Sequence, residues 1–186
     1  METSNYRICY NSLTDYNQGR LVFKWFNLDG TTLEEHQEEL SNWLEELTNS
    51  SRDGQLREEW EIADFENIPQ NIIDNYGLEA FFQWQEYVNL IGKEATNAAV
   101  ELNVLTYDYR KHKEFNLTPE ELQDRYVGSF DSWNVAEELA LFDADNSALL
   151  DGIPSHLQGY FDFKEYGEDL LIYNYDQHEG HVFLRI

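Results

Sequence analysis

Between Leu33 and Leu47 the chain sets six glutamates among its leucines and not one lysine or arginine. At about 100° per residue, Leu33, Leu40, Leu44 and Leu47 fall on a single stripe, which predicts an amphipathic helix. Glu34, Glu38 and Glu45 fall on one flank of the opposite side, with Glu35, Glu39 and Glu46 beside them. An ordinary solvated helix pairs some of its acids with lysine at i+4. Like charges at that spacing instead destabilise a helix by about 0.2–0.5 kcal/mol a pair. Such a helix needs an interior to hold it down, and the composition supplies one. Hydrophobic residues make up 41% of 186 residues, with 5 Trp, 12 Tyr and 11 Phe. That aromatic content excludes a disordered acidic tail.

The acidity is general. The chain carries 37 Asp and Glu against 12 Lys and Arg, a formal net charge of −25. Residues 1–66 hold 15 acids and 5 bases (−10), residues 67–125 hold 10 and 5 (−5), and residues 126–186 hold 12 and 2 (−10). Direct nucleic-acid binding through a basic face is excluded by this balance. Cys9 stands alone, so it forms no intrachain disulfide and no cysteine-rich zinc site. No run reaches the roughly 18 apolar residues of a membrane helix. Met1 to Asn5 is not followed by the apolar region of a secretion signal. The expectation is a cytoplasmic protein without a membrane partner.

Periodicity predicts an α+β chain in three segments. Residues 1–66 read β-β-α-β. Tyr6 to Tyr10 alternates, Asp15 to Gly19 is a turn-rich connection, and Leu21, Phe23 and Trp25 share one face of a second strand. Thr31 or Thr32 caps the Leu33–Leu47 helix, with Glu34 and Glu35 three residues on from each. Trp60 to Ala63 is a returning strand. Residues 67–125 are mainly helical, with Phe81, Trp84, Val88 and Ile91 in helical period, Gly92 as a stop, and a second helix over Ala95–Leu102. Thr118-Pro119-Glu120-Glu121 is a helix start. Residues 126–186 mix a strand over Tyr126–Phe130, a helix capped by Ser132 and running through Leu141, and a helix over Phe161–Leu171. They end in a hairpin around Glu179-Gly180, with Val182, Leu184 and Ile186 toward the core. Trp25, Trp43, Trp60, Phe81, Trp84 and Trp133 are expected to build core.

A dense, folded anionic surface has one clear physical counterpart. Duplex DNA carries about one negative charge per 1.7 Å of axis, and carboxylates on successive helical turns stand about 5–6 Å apart. A groove lined with Lys and Arg distinguishes the two poorly. The same charge also suits solubility or salt adaptation, or an acidic module for another basic partner such as a nucleoid protein or a transcription factor.

Several local sequences resemble those of the ArdA antirestriction family. Ser12-Leu13-Thr14-Asp15-Tyr16-Asn17-Gln18-Gly19-Arg20-Leu21, followed by Trp25, is similar to its N-terminal signature. Glu59 to Glu66, Tyr126 to Ser132 with Ala136 to Ala140, and Ile153-Pro154 with Tyr160 to Leu170 resemble its later blocks, in order. The resemblance implies a DNA mimic carried on mobile genetic elements. It would inhibit type I restriction–modification enzymes by occupying the DNA groove of their specificity and modification subunits. It further implies an elongated chain of three small subdomains in a row and a homodimer. The region around Leu149–Leu170 corresponds to the family's antirestriction motif, expected near the dimer contact. Extra length relative to typical members is expected around Glu34–Arg57 or Arg110–Lys113.

The candidate mimic acids are Glu34, Glu35, Glu38, Glu39, Glu45 and Glu46 in the first segment. In the last they are Glu137, Glu138, Asp162, Glu165, Glu168 and Asp169. No catalytic residue, metal ligand or cofactor is assigned. Acid pairs such as Asp162/Glu165 or Glu58/Glu61 are the raw material of a glycosidase, the rival enzymatic reading, which needs two carboxylates held across a cleft. Asp143 to Ser147 begins like a calcium loop but has Ala148 and Pro154 where that loop needs Gly and Glu. His178 and His181 read as a hairpin turn rather than a metal site. The basic cluster Arg110-Lys111-His112-Lys113 reads as a solvated loop or a local neutraliser of nearby acids.

Overall fold

The computed structural model describes residues 5–108, 110 and 113–185. The α+β class expected from the sequence is the class observed, with helices and two three-stranded antiparallel sheets. The chain divides into two compact units, Met1–Phe82 and Gln83–Ile186.

The first unit contains β1 (Arg7–Ser12), a one-turn helix α1 (Leu13–Tyr16), β2 (Phe23–Asn27), α2 (Leu33–Ser50) and β3 (Trp60–Glu66). Helix α3 (Gln70–Ile91), interrupted at Gly77, begins here and ends in the second unit. The sheet order is β2-β1-β3. Ile8 and Tyr10 of the central strand are fully buried, and α2 lays His36, Leu40, Trp43 and Leu44 in the same core. Phe26 meets the rings of Tyr10, His36 and Trp43 edge-on at 5.5–5.9 Å. The buried stripe of α2 is therefore not purely leucine. Leu33 and Leu47 are only half-buried, and Trp43 and His36 complete it. An imidazole tolerates this place because its Nε2 stands 2.9 Å from the Tyr10 hydroxyl.

Thr32 caps α2 through a complete capping box. Its hydroxyl accepts from the Glu35 N–H, and the Glu35 carboxylate accepts from the Thr32 N–H. Beyond the helix, the chain is tied down by Arg57, whose guanidinium is almost wholly buried. It donates to both carboxylate oxygens of Asp15 at 3.0 and 2.9 Å, and also to Ser51, Asp53 and the Gln55 carbonyl. Arg20 and the Ser12 hydroxyl donate to the same Asp15. These hydrogen bonds, led by the one from Arg57, hold the Asp15 carboxyl well below the usual carboxylate range. The connection expected as a plain turn at Asp15–Gly19 thus begins as α1, with Asp15 as a buried anchor.

Phe23 and Trp25 share a face of β2, but it is the outward one, and Leu21 precedes the strand. Leu21 is 73% and Phe23 60% exposed. Trp25 is half-buried beneath the Arg7 guanidinium, 4.9 Å from its ring. Trp60 and Trp133 likewise depart from the core expectation, Trp133 at 94% exposure, whereas Trp43, Phe81 and Trp84 meet it.

The second unit holds α4 (Lys93–Glu101), α5 (Pro119–Arg125), β4 (Tyr126–Ser129), α6 (Val135–Ser147), α7 (Ser155–Gln158), α8 (Phe163–Tyr173), β5 (Tyr175–His178) and β6 (His181–Leu184). The sheet order is β4-β6-β5. Thr118 and Glu121 form the expected capping box at α5. Helix α6 starts at Val135, and its N-cap is Asn134 rather than Ser132. Its entry is fastened by Glu138, which accepts from the Asp131 N–H at 2.7 Å. Val135, Leu139, Leu170 and Val182 form the core between α6, α8 and the sheet. Because β6 is the central strand, Phe183 on its other face is buried too, while Leu184 is partly exposed. Ile186 lies outside the described residues.

Helices α6 and α8 touch at Gly167. A Cβ built there would stand 1.8 Å from the Ala136 carbonyl oxygen. Only glycine permits this approach, so Gly167 sets the spacing of the two helices. Gly167→Ala is expected to destabilise the protein by about 1–3 kcal/mol through overpacking, read from the denaturation midpoint. An unchanged midpoint would mean that the helices part without cost.

Burial pushes the His36 imidazole down from 6.5 to about 4. The unfolded chain therefore binds more protons between these values, and stability falls as pH drops from about 6.5 toward 4. Equilibrium unfolding at stepped pH should show this slope, and H36F should flatten it. Equal slopes in both proteins would remove His36 as its source.

Candidate functional site

The twelve nominated acids all lie on or at the edge of helices. Glu34, Glu35, Glu38, Glu39, Glu45 and Glu46 lie on α2 and are exposed. Glu137 and Glu138 lie in the first turn of α6. Asp162 is the N-cap of α8, and Glu165, Glu168 and Asp169 lie on that helix. Helices α6 and α8, which carry this second group, pack against each other within one unit.

They are not equivalent. Glu35 spends its carboxylate on the capping box, and Asp162 accepts from the Glu165 N–H at 3.0 Å. Glu138 fastens the α6 entry, and Glu137 accepts from the Asn134 side chain at 3.2 Å. These four serve local structure as well as presenting charge. Among the described residues, Glu34, Glu38, Glu39, Glu45, Glu46, Glu165, Glu168 and Asp169 show no ion-pair or side-chain hydrogen-bond partner. The last turn of α2 contains no base to offset Glu45 and Glu46. The helix thus carries its charge bare, held by the core on its opposite face.

Four arginines are engaged away from these acids. Arg57 and Arg20 converge on Asp15 and Asp53, Arg7 pairs with Glu66 at 3.0 Å, and Arg185 pairs with Asp176. The sequence carries little trace of this sorting. Its only signal was Arg20 and Arg57 standing among acids, and nothing local named Asp15 as their partner. Of the basic run Arg110–Lys113, Lys111 and His112 lie outside the described residues.

The rival chemistries find different surroundings. Asp162 and Glu165 belong to one helix start, where the first caps the second. Glu61 accepts from the buried Asn11 side chain. His178 and His181 face each other across the hairpin, with His181 Nδ1 2.9 Å from the Tyr126 hydroxyl. Burial lowers the His181 imidazole. What the arrangement offers is a set of fixed, unneutralised carboxylates on rigid helices.

A family model described as antirestriction protein (ArdA) matches residues 8–183. The chain belongs to the ArdA family. No curated protein matches it. The match runs through every segment that carries a candidate acid and covers the blocks quoted above. ArdA proteins are antirestriction inhibitors and not a known enzyme family, so interaction with restriction enzymes follows from membership. Among the described residues, no helix is long and apolar enough to cross a membrane.

Introducing a base should relieve α2. E38K places lysine four residues after Glu34 and replaces a repulsion by an attraction. Thermal unfolding should shift upward by the equivalent of about 0.4–1 kcal/mol, and less in high salt. A fall in stability would show that the acid face is not strained.

Proposed function

We propose that this ArdA protein is a DNA mimic that occupies the DNA-binding groove of type I restriction–modification enzymes, on their specificity and modification subunits. The observation that carries the reading is the set of exposed carboxylates on α2 and α8 that lack a neutralising partner. Solubility alone does not call for a helix that forgoes every i+4 base. Rigid presentation matters because disordered acids would lose ordering entropy on binding. Each carboxylate stands in for a phosphate, and docking releases counterions, so affinity falls steeply with salt. No residue performs chemistry in this reading.

The protein also acts as a homodimer in this proposal, with the contact in the antirestriction motif. Leu149, Ile153, Leu157 and Tyr160 support that placement, being exposed apolar residues within one short stretch. Such clusters mark interaction surfaces. In this proposal the protein works in the cytoplasm and is encoded on a mobile genetic element.

The test is competition. A purified type I methyltransferase is held on labelled duplex DNA while the protein is titrated in at two salt concentrations. Displacement should weaken as salt rises. Replacing Glu34, Glu38, Glu39, Glu45 and Glu46 by glutamine one after another should erode inhibition stepwise, each alone costing little. Absence of displacement at low salt, with the protein folded and the enzyme active, would sink the proposal for that target. Loss of all inhibition from one substitution would replace a distributed surface by a single specific contact.

A further inference from the structure

The edge of β2 and the flank of α2 border a groove of about 480 Å³, whose strand side mimicry does not use. Its walls are Lys24 to Asn27 on the strand and Glu39, Asn42, Trp43 and Glu46 on the helix. The ladder fixes which strand groups face it. Ser12 N–H donates to the Val22 carbonyl, and Leu28 N–H to that of Tyr6. With Ile8 opposite Phe26 and Tyr10 opposite Lys24, the even-numbered residues of β2 bond to β1. The N–H and C=O groups of Phe23, Trp25 and Asn27 therefore point away from β1, at the sheet's outer edge. Among the described residues these backbone groups have no partner. The edge is not blunted by proline or by a bulge, devices that commonly protect such edges.

We infer that this groove accepts an extended segment of a basic partner protein as a fourth strand, with Lys or Arg side chains turned toward α2 and apolar side chains turned the other way. A strand added about 4.8 Å beyond β2 alternates its side chains between the two faces of the sheet. On the helix side they meet Glu39 and Glu46. The one base of the groove, Lys24, lies folded over the Phe26 ring at 4.9 Å. On the other side they come level with the exposed Phe23 and with Trp25. Beneath that face lies Asn11, buried, with its amide given to Glu61 and its Oδ1 unused. Charge argues against a second copy as occupant. Pairing two β2 edges would bring Glu39 and Glu46 of both chains together. The inference stands apart from phosphate mimicry, which needs carboxylates but no free strand edge.

The experiment uses the isotope-labelled full chain and a blocked peptide of eight residues alternating lysine and valine. Binding should shift the amide resonances of Phe23, Trp25 and Asn27 and slow their hydrogen exchange. A peptide of the same composition, N-methylated at alternate residues, loses the ladder donors and should bind at least about tenfold weaker. The same residues arranged as a lysine block and a valine block should also bind more weakly. Glu39→Gln with Glu46→Gln should weaken the alternating peptide several-fold without disturbing the fold, since both side chains are exposed. F23P, which removes one outward donor at an edge where proline is tolerated, should do the same. Equal binding of the N-methylated peptide would overturn the inference, as would shifts spread along α2 without protection at β2, or no shift at all. Concentration-dependent broadening at β2 in the absence of peptide would name a second copy as the occupant and overturn it as well. Failure of DNA competition leaves these outcomes untouched, so the two readings fail separately.

Discussion

Helix α2 survives its own charge because its other face is anchored. Six glutamates repel one another on the outside, and Leu40, Trp43, Leu44 and His36 hold the inside against β1 and β2. The Tyr10 hydroxyl beside His36 and the Phe26 ring among its neighbours make that anchor aromatic. Electrostatics and packing here oppose each other, and packing wins: a few like-charge pairs cost tenths of a kilocalorie each, whereas a buried large side chain contributes about 1.5–3 kcal/mol. The bare acidic face is an outcome of this imbalance. It exists only because the apolar side has stability to spare.

The buried ion pair of Asp15 with Arg57 works on a different scale. It joins residues 42 apart in sequence and closes the chain after α2 back onto α1. Removing one partner would strand a buried charge. The pair also explains why counting acids overstates the surface. Asp15 is buried and Asp53 is paired with Arg57 and Arg20, while Glu34 and Glu38 face solvent unpaired.

Local chemistry was readable in advance. Thr32 with Glu35 and Thr118 with Glu121 are complete within four residues, so sequence alone marks both helix starts. The strand around Tyr10 is legible through alternation, and the last hairpin through Glu179-Gly180. What alternation does not tell is which face is covered. Phe23 and Trp25 share a face, yet no periodicity states that the helix packs on the opposite one. The start of α6 was misplaced because Ser132 is a good cap by type, whereas the entry is fixed by Glu138 reaching back seven residues to Asp131. Gly167 is unremarkable in sequence, and its reason is the Ala136 carbonyl of a different helix. The candidate acids were legible as a charged face, but the duties of Glu35, Glu137, Glu138 and Asp162 appear only once their neighbours are in place.

The bare face of α2 also bears on how long the protein lasts. Any cationic surface that binds the folded chain and not the unfolded one stabilises it by mass action, about 2.7 kcal/mol at a hundredfold excess over Kd. Unoccupied, the molecule keeps its self-repulsion and opens more often, and each opening exposes it to proteases. Occupied, it is relieved of that repulsion and shielded at once. Docking of a target on this face, as proposed, would couple cellular lifetime to target supply, with surplus copies cleared first.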